Sequence, residues 1–208
     1  MKNLDEKILK VIREQEEYLA NKQGKDEKIA HFLKNIGTNK EVEQKFFYGG
    51  TFKIYFPKYM AKMSDEHVKI KYPNENRPAL LYSNDTDSIN IGITVIDDDS
   101  FLQEEVSEFR DIMLEGFLSV NPHSKIIEKD EIQSLISEES SDTRPYMAYY
   151  SFDSLAIGGG MYNFVFLFLV NKALVIVSLN SSIKDMEQNE ILFNGIMRTT
   201  KIIGNSAR

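Results

Sequence analysis

The chain opens on a helical rhythm. Leu4, Ile8, Val11, Ile12, Tyr18 and Leu19 recur mostly at spacings of three and four with charged residues between them, which predicts an amphipathic helix. Gly24 interrupts the stripe. Ile29, Phe32, Leu33 and Ile36 resume it up to Gly37, which tolerates the positive φ of a helix end. One long helix or two shorter ones fit this pattern, and the polar stretch 38–44 reads as a linker. Residues 1–45 are therefore expected to form a helical extension with its linker, and residues 46–208 a single α+β domain.

From Phe46 the period falls to two. Phe52, Ile54 and Phe56 alternate with Lys53 and Tyr55 and stop at Pro57, a strand with one buried face. Val68, Ile70 and Tyr72 alternate with Lys69 and Lys71 ahead of Pro73 and predict a second strand. Residues 79–83 predict a third, and Ile89, Ile91, Ile93 and Val95 a fourth. Asn84, Asp85, Thr86 and Asp87 join these last two as a turn, because Asn and Asp side chains bond their own backbone there. Asp97, Asp98, Asp99 and Ser100 then open a helix, with Asp99 or Ser100 capping its free N–H groups. Leu102, Val106, Phe109, Met113, Phe117 and Val120 trace its apolar stripe, and Pro122 stops it. A short strand at 124–128 and a polar loop at 134–144 follow.

Tyr146, Ala148, Tyr150 and Phe152 alternate in the next strand, and residues 158–160, all glycine, connect it onward. Residues 161–170 are apolar on both faces, the signature of a central strand covered on both sides. Asn171 and Lys172 turn the chain back into a partner strand at 173–179. A closing helix from Ser182 or Lys184 directs Met186, Phe193, Ile196 and Met197 inward. The order β-β-β-β-α-β-β-β-β-α, with hairpin-length connections, implies a mainly antiparallel central sheet covered by helices on both faces, an α/β/α sandwich.

The Phe-x-Ile-x-Phe-Pro strand at 52–57, the Pro-bounded strand pair, the single mid-chain helix, the aromatic hairpin of 162–179 and the final amphipathic helix together resemble the Mog1/PsbP-like superfamily. The resemblance is closest to its small bacterial members, in which a stretch like Tyr72-Pro73-Asn74-Glu75-Asn76-Arg77-Pro78 precedes the third strand, and it covers about residues 50–204. It implies a central antiparallel sheet between helical layers and a role as a binding or assembly factor. Members of that superfamily assist a Ran GTPase or the oxygen-evolving centre of photosynthesis. No functional residue transfers position by position, and the helical extension lies outside the resemblance.

Composition narrows the chemistry. The 208 residues include no cysteine, which excludes disulfides, zinc-thiolate sites, iron–sulfur clusters and thiol nucleophiles and suits a cytoplasmic location. The N-terminus is charged throughout, and the most apolar run, 164–170, is far shorter than the roughly 20 residues of a membrane helix, so no span is expected. The net charge of −7 is uneven: residues 97–142 hold fourteen acidic and three basic groups. Such a band repels phosphate backbones, which argues against nucleic acid, and offers a docking face to a basic protein partner through Asp97, Asp98, Glu104 and Glu105. The bland alternative is a solvated surface.

No catalytic constellation emerges, and no cofactor is expected. His31, His67 and His123 lack a second ligand at metal-binding spacing. Asp85 and Asp87 begin like a calcium loop, but Ile89, Asn90 and Ile96 occupy positions that need an oxygen ligand, Gly and Glu. The three glycines at 158–160 precede a strand, so they do not form a phosphate loop. Tyr72, Arg77 and Tyr82 cluster around two prolines and form a candidate platform for a carboxylate or phosphate. The expected function is a non-enzymatic accessory or binding protein that holds a protein partner. The alternative is a small-molecule binder or weak hydrolase with a pocket near Gly158–Gly160. Self-association through the N-terminal helix is a third reading.

Overall fold

A computed structural model describes residues 41–136, 142–156 and 159–203, together with residues 20, 23–25, 27–29 and 31. The chain divides into two units, Met1–Asn39 and Lys40–Arg208. In the first, every described residue is helical, Gly24 included. The remainder of the predicted N-terminal stripe, from Leu4 to Leu19 and from Phe32 to Gly37, lies outside the described residues.

The second unit is built on two antiparallel sheets. The larger runs in the order β3 (Ala61–Lys62), β4 (Leu80–Ser83), β5 (Ile89–Ile96), β11 (Ala173–Ser182), β10 (Gly159–Val170), β9 (Met147–Ala156) and β6 (Lys125–Ile132). The smaller runs β1 (Val42–Phe47), β2 (Phe52–Pro57), β12 (Lys201–Ile202), β8 (Thr143–Arg144) and β7 (Leu135–Ile136). Among the described residues three helices complete it: α1 (Asp65–Lys71), α2 (Val106–Val120) and α3 (Met186–Arg198).

The two-faced strand explains the layering. Tyr162, Phe164, Phe166 and Phe168 of β10 share one core with Phe52, Ile54 and Phe56 of β2 and with Phe193, Ile196 and Met197 of α3. Phe52 meets Phe168 edge to face at 5.3 Å, which seats the small sheet on the large one. On the opposite face Val165, Leu167 and Leu169 pack with Val106 and Leu114 of α2, backed by Phe109, Met113 and Phe117. The fold is thus α+β and antiparallel, with α2 on one face and α3 sharing the other with the small sheet. Among the described residues no helix is long and apolar enough to cross a membrane.

Several elements differ from the sequence expectation, among them β7 and β8, which lie within the stretch read as a polar loop. Residues 65–71 form a helix, not the strand expected from Val68, Ile70 and Tyr72. Ser64 accepts a bond from the His67 N–H, acidic residues fill its first turn and lysines its last, so capping and the helix dipole outweigh a period of two. Ile70, the residue a strand would bury, is exposed. Strand β1 begins inside the stretch 38–44 read as linker and runs into the domain; only Phe47 in it is buried, so its sequence carries little core pattern. The mid-chain helix begins later than its acidic run. A 3-10 turn at Gln103–Glu105 leads into α2, and Glu105 caps the Leu102 N–H while Asp98 is committed to Ser100. Strand β6 runs on to Ile132, past the expected end at 128, and β12 follows the last helix.

Candidate functional site

Strand β6 is the last strand of the large sheet, and among the described residues it pairs with β9 alone. Its residues are exposed along most of its length, and Ile132 alone is buried. Such an edge presents backbone N–H and C=O groups that another chain can pair with. The register shifts between Ile126 and Glu128, a bulge that leaves Ile127 without an opposite residue. Ile126 and Ile127 are both exposed, and Val120, which ends the helix leading into the strand, is exposed as well. The Lys125 N–H bonds Asp153 at 2.6 Å and Glu128 accepts from the Tyr149 hydroxyl at 3.1 Å, but among the described residues no second strand pairs with the 125–128 end of β6, where two adjacent isoleucines stand in water at a bulge.

The other end is fastened. Arg110 of α2, only 5% exposed, donates from Nη1 to the Asp130 carbonyl at 3.0 Å and from Nε to Asp111 at 2.7 Å. Asp111 also pairs with Lys129 at 2.8 Å, and the Arg110 guanidinium beside it holds its carboxyl below the ordinary range. Ser107 donates to Glu131 at 2.6 Å and shares a short hydrogen bond with the Tyr146 hydroxyl. These bonds lower the Glu131 carboxyl as well, Ser107 first. The edge is therefore clamped by α2 at one end, and at the other the two isoleucines stand in water.

The residues singled out from sequence are dispersed. Tyr72 lies at the end of α1, where burial raises its hydroxyl and Asn180 faces it. Its backbone carbonyl, with that of Asn74, accepts from Arg77 Nη1, so this guanidinium fastens a loop. Tyr82 is on the other face of the sheet, stacked edge to face on Phe56 at 5.0 Å with Lys45 Nζ 5.7 Å from its ring centre. Tyr72, Arg77 and Tyr82 thus do not share a surface. Asp97 accepts from the Tyr48 hydroxyl at 2.7 Å, Asp98 from Ser100 N–H at 3.0 Å and Glu105 from Leu102 N–H at 3.0 Å. Glu104 is exposed. Of the glycine connection, Gly158 lies outside the described residues, and Gly160 packs against Ile183, whose Cγ2 would stand 2.8 Å from an added Cβ.

Sequence reasoning missed Arg110, hidden in an apolar stripe, and the full length of β6, whose alternation of Lys125, Glu128, Lys129, Asp130 and Glu131 looks like loop. The one usable signal was the adjacent pair Ile126 and Ile127 within that charged run.

No family model matches the sequence, and no curated protein matches it. A solved structure shares its architecture, and others align more weakly. The solution structure of cyanobacterial PsbP (CyanoP) from Synechocystis sp. PCC 6803 aligns with a TM-score of 0.56 over 79% of this chain and 94% of that one, at 7% identity. A crystal structure from Bacteroides thetaiotaomicron gives 0.47 over 81% of this chain and 51% of that one, at 10% identity. LpqN of Mycobacterium tuberculosis, described as involved in cell envelope biogenesis, gives 0.41 over 80% and 94%, at 11% identity. At these identities the first likeness is one of fold, and the fold is PsbP-like.

Proposed function

We propose, from a PsbP-like fold with a half-open sheet edge, that this chain is a non-catalytic accessory protein that holds a protein partner by strand addition along β6. The partner segment is extended and basic, since the edge lies inside a stretch holding fourteen acidic and three basic residues. The observation that carries the reading is the 125–128 end of β6, where Ile126 and Ile127 face water on an edge with no second strand partner among the described residues. Main-chain pairing supplies affinity, the isoleucines supply apolar contact, and the acidic surroundings select against acidic partners.

A crosslinked pull-down from the native host, read by mass spectrometry, tests this with the full chain, the I126K/I127K variant and the E104K/E108K variant. The expected result is a partner captured by the wild type, lost with I126K/I127K and weakened by E104K/E108K, with the melting temperature of each variant close to wild type. Capture unchanged by both pairs of substitutions overturns the reading. So does a wild type that captures nothing.

A further inference from the structure

Ahead of the clamp at Asp130, β6 reads Lys125, Ile126, Ile127, Glu128: a cation and an anion on either side of two isoleucines. Reversed and laid antiparallel to itself, this run sets Lys125 against Glu128 of a second copy and Ile126 against Ile127. About a two-fold axis each of these contacts occurs twice. The faces agree as well as the order. The register places Lys125 opposite Asp153 and, across the bulge, Glu128 opposite Ser151. Residues two apart on β9 point the same way, so Lys125 and Glu128 share one face of the sheet although they are three apart in sequence. Tyr149, on that face too, donates to Glu128 Oε1 at 3.1 Å, and what the pairing uses is the carboxylate's charge there. Without the bulge the two charges would point to opposite faces and could not meet across a two-fold pairing. Ile126 stands opposite Phe152, on the face that α2 covers.

Neighbouring registers fare worse. Centring the pair on Ile127 sets Lys125 against Lys129 of the other copy, and centring it on Glu128 sets that carboxylate against itself; like charges directly opposite are destabilising. Centring it on Ile126 leaves Lys125 against Ile127 and Glu128 against Ser124, with no charge pair. Arg110 already takes the Asp130 carbonyl at 3.0 Å, so pairing stops short of the clamp. Ile126 and Ile127 are 49% and 39% exposed, apolar surface that the same pairing covers.

Resting on β6 as the docking edge, we propose that when no basic segment occupies it the edge pairs with a second copy of this chain. The pairing is antiparallel about a two-fold axis between Ile126 and Ile127, with two Lys125–Glu128 contacts on one face. The large sheet then runs on from one copy into the other, and a basic segment captured by β6 competes with the dimer. Four residues a side make a small contact, so the dimer is weak and depends on concentration.

Sedimentation equilibrium of the full chain at up to about 1 mM, a range that reaches weak pairings, tests this with charge variants. Wild type is expected to dimerise and I126K/I127K to stay monomeric. K125E and E128K should each weaken pairing by roughly tenfold, because symmetry turns two attractive contacts into two repulsive ones. An equimolar mixture of K125E and E128K is expected to restore the dimer, since each variant supplies the charge the other has reversed. K125R, which keeps the charge, is expected to pair as wild type, and its contrast with K125E does not depend on how well E128K folds. A mixture of folded variants that pairs no better than either alone overturns the proposal, as does K125E pairing as tightly as K125R. A dimer that persists in I126K/I127K places self-association on another surface and overturns it too. A monomeric wild type that still captures a partner through β6 removes the dimer and leaves the docking edge standing, whereas a charge-swapped dimer without any captured partner does the reverse.

Discussion

Gly92 sits in β5 directly under Pro78. A Cβ there would lie 2.6 Å from Pro78 Cγ and 2.7 Å from Ser178 Oγ, closer than real Cβ atoms come. Gly116 in α2 has nothing within 4 Å of the same added atom. The two glycines therefore predict opposite outcomes of one substitution. G92A should lower stability by about 1–3 kcal/mol through overpacking. G116A should raise it by roughly 0.5–1 kcal/mol, because alanine loses less backbone freedom in a helix. Urea unfolding of both variants checks the pair, and equal signs would count against this packing of Pro78 on the sheet. Nothing in the sequence around Gly92 announces the close approach, since its alternation with Ile91 and Ile93 reads the same whatever lies above it.

Element by element, the apolar strands were legible and the polar ones were not. The sides of β2, β5, β10 and β11 that face the core are set by burial, and burial writes itself into the period. The edge elements β1, β6 and α1 bury almost nothing, so local capping and neighbouring strands decide them. Val68, Ile70 and Tyr72 show how a period of two can arise by accident when a helix has only a half-buried face. The link between α2 and β6 makes a prediction at this scale. R110A should cost about 1.5–3 kcal/mol, the size expected for losing hydrogen bonds to charged groups, because Asp111, Glu131 and the Asp130 carbonyl would lose it together while the two carboxylates remain partly open to water. K129A, whose side chain is exposed, should cost no more than about 1 kcal/mol. Chemical denaturation of the two single variants checks the contrast. A loss in R110A no larger than in K129A would mean that α2 does not fasten the strand.

For the whole molecule, class and layering followed from the chain's alternation, while strand order did not. Hairpins say which strands are neighbours, and β4 with β5 or β10 with β11 were readable for that reason. The pairing of β11 with β5, or of β12 with β2, joins segments far apart in sequence through ordinary apolar and lysine positions. The candidate site suffers the same limit. Arg110 is unremarkable alone and gains meaning only when α2 and β6 are brought together. The seating of the small sheet predicts that F52A costs about 3–5 kcal/mol, measured by urea unfolding, since a fully buried ring between the sheets leaves a cavity. A cost under about 1 kcal/mol would show that the small sheet does not rest on the large one.

The small sheet has a further consequence for how the protein comes into being. Lys201 lies opposite Lys53, Ile202 opposite Phe52, and the Ile203 N–H bonds the Thr51 carbonyl at 2.9 Å. During synthesis β1 and β2 emerge early as a lone hairpin, which is marginal in water by itself. The strand that completes their sheet is threaded out of the ribosome only after nearly everything else. Phe52, Ile54 and Phe56 must therefore wait, exposed or loosely covered, while the long hairpin that will receive them is still being made. Contacts of such sequence separation form slowly. The interval before residues 201–203 emerge is when this part of the chain is open to chaperones and to aggregation.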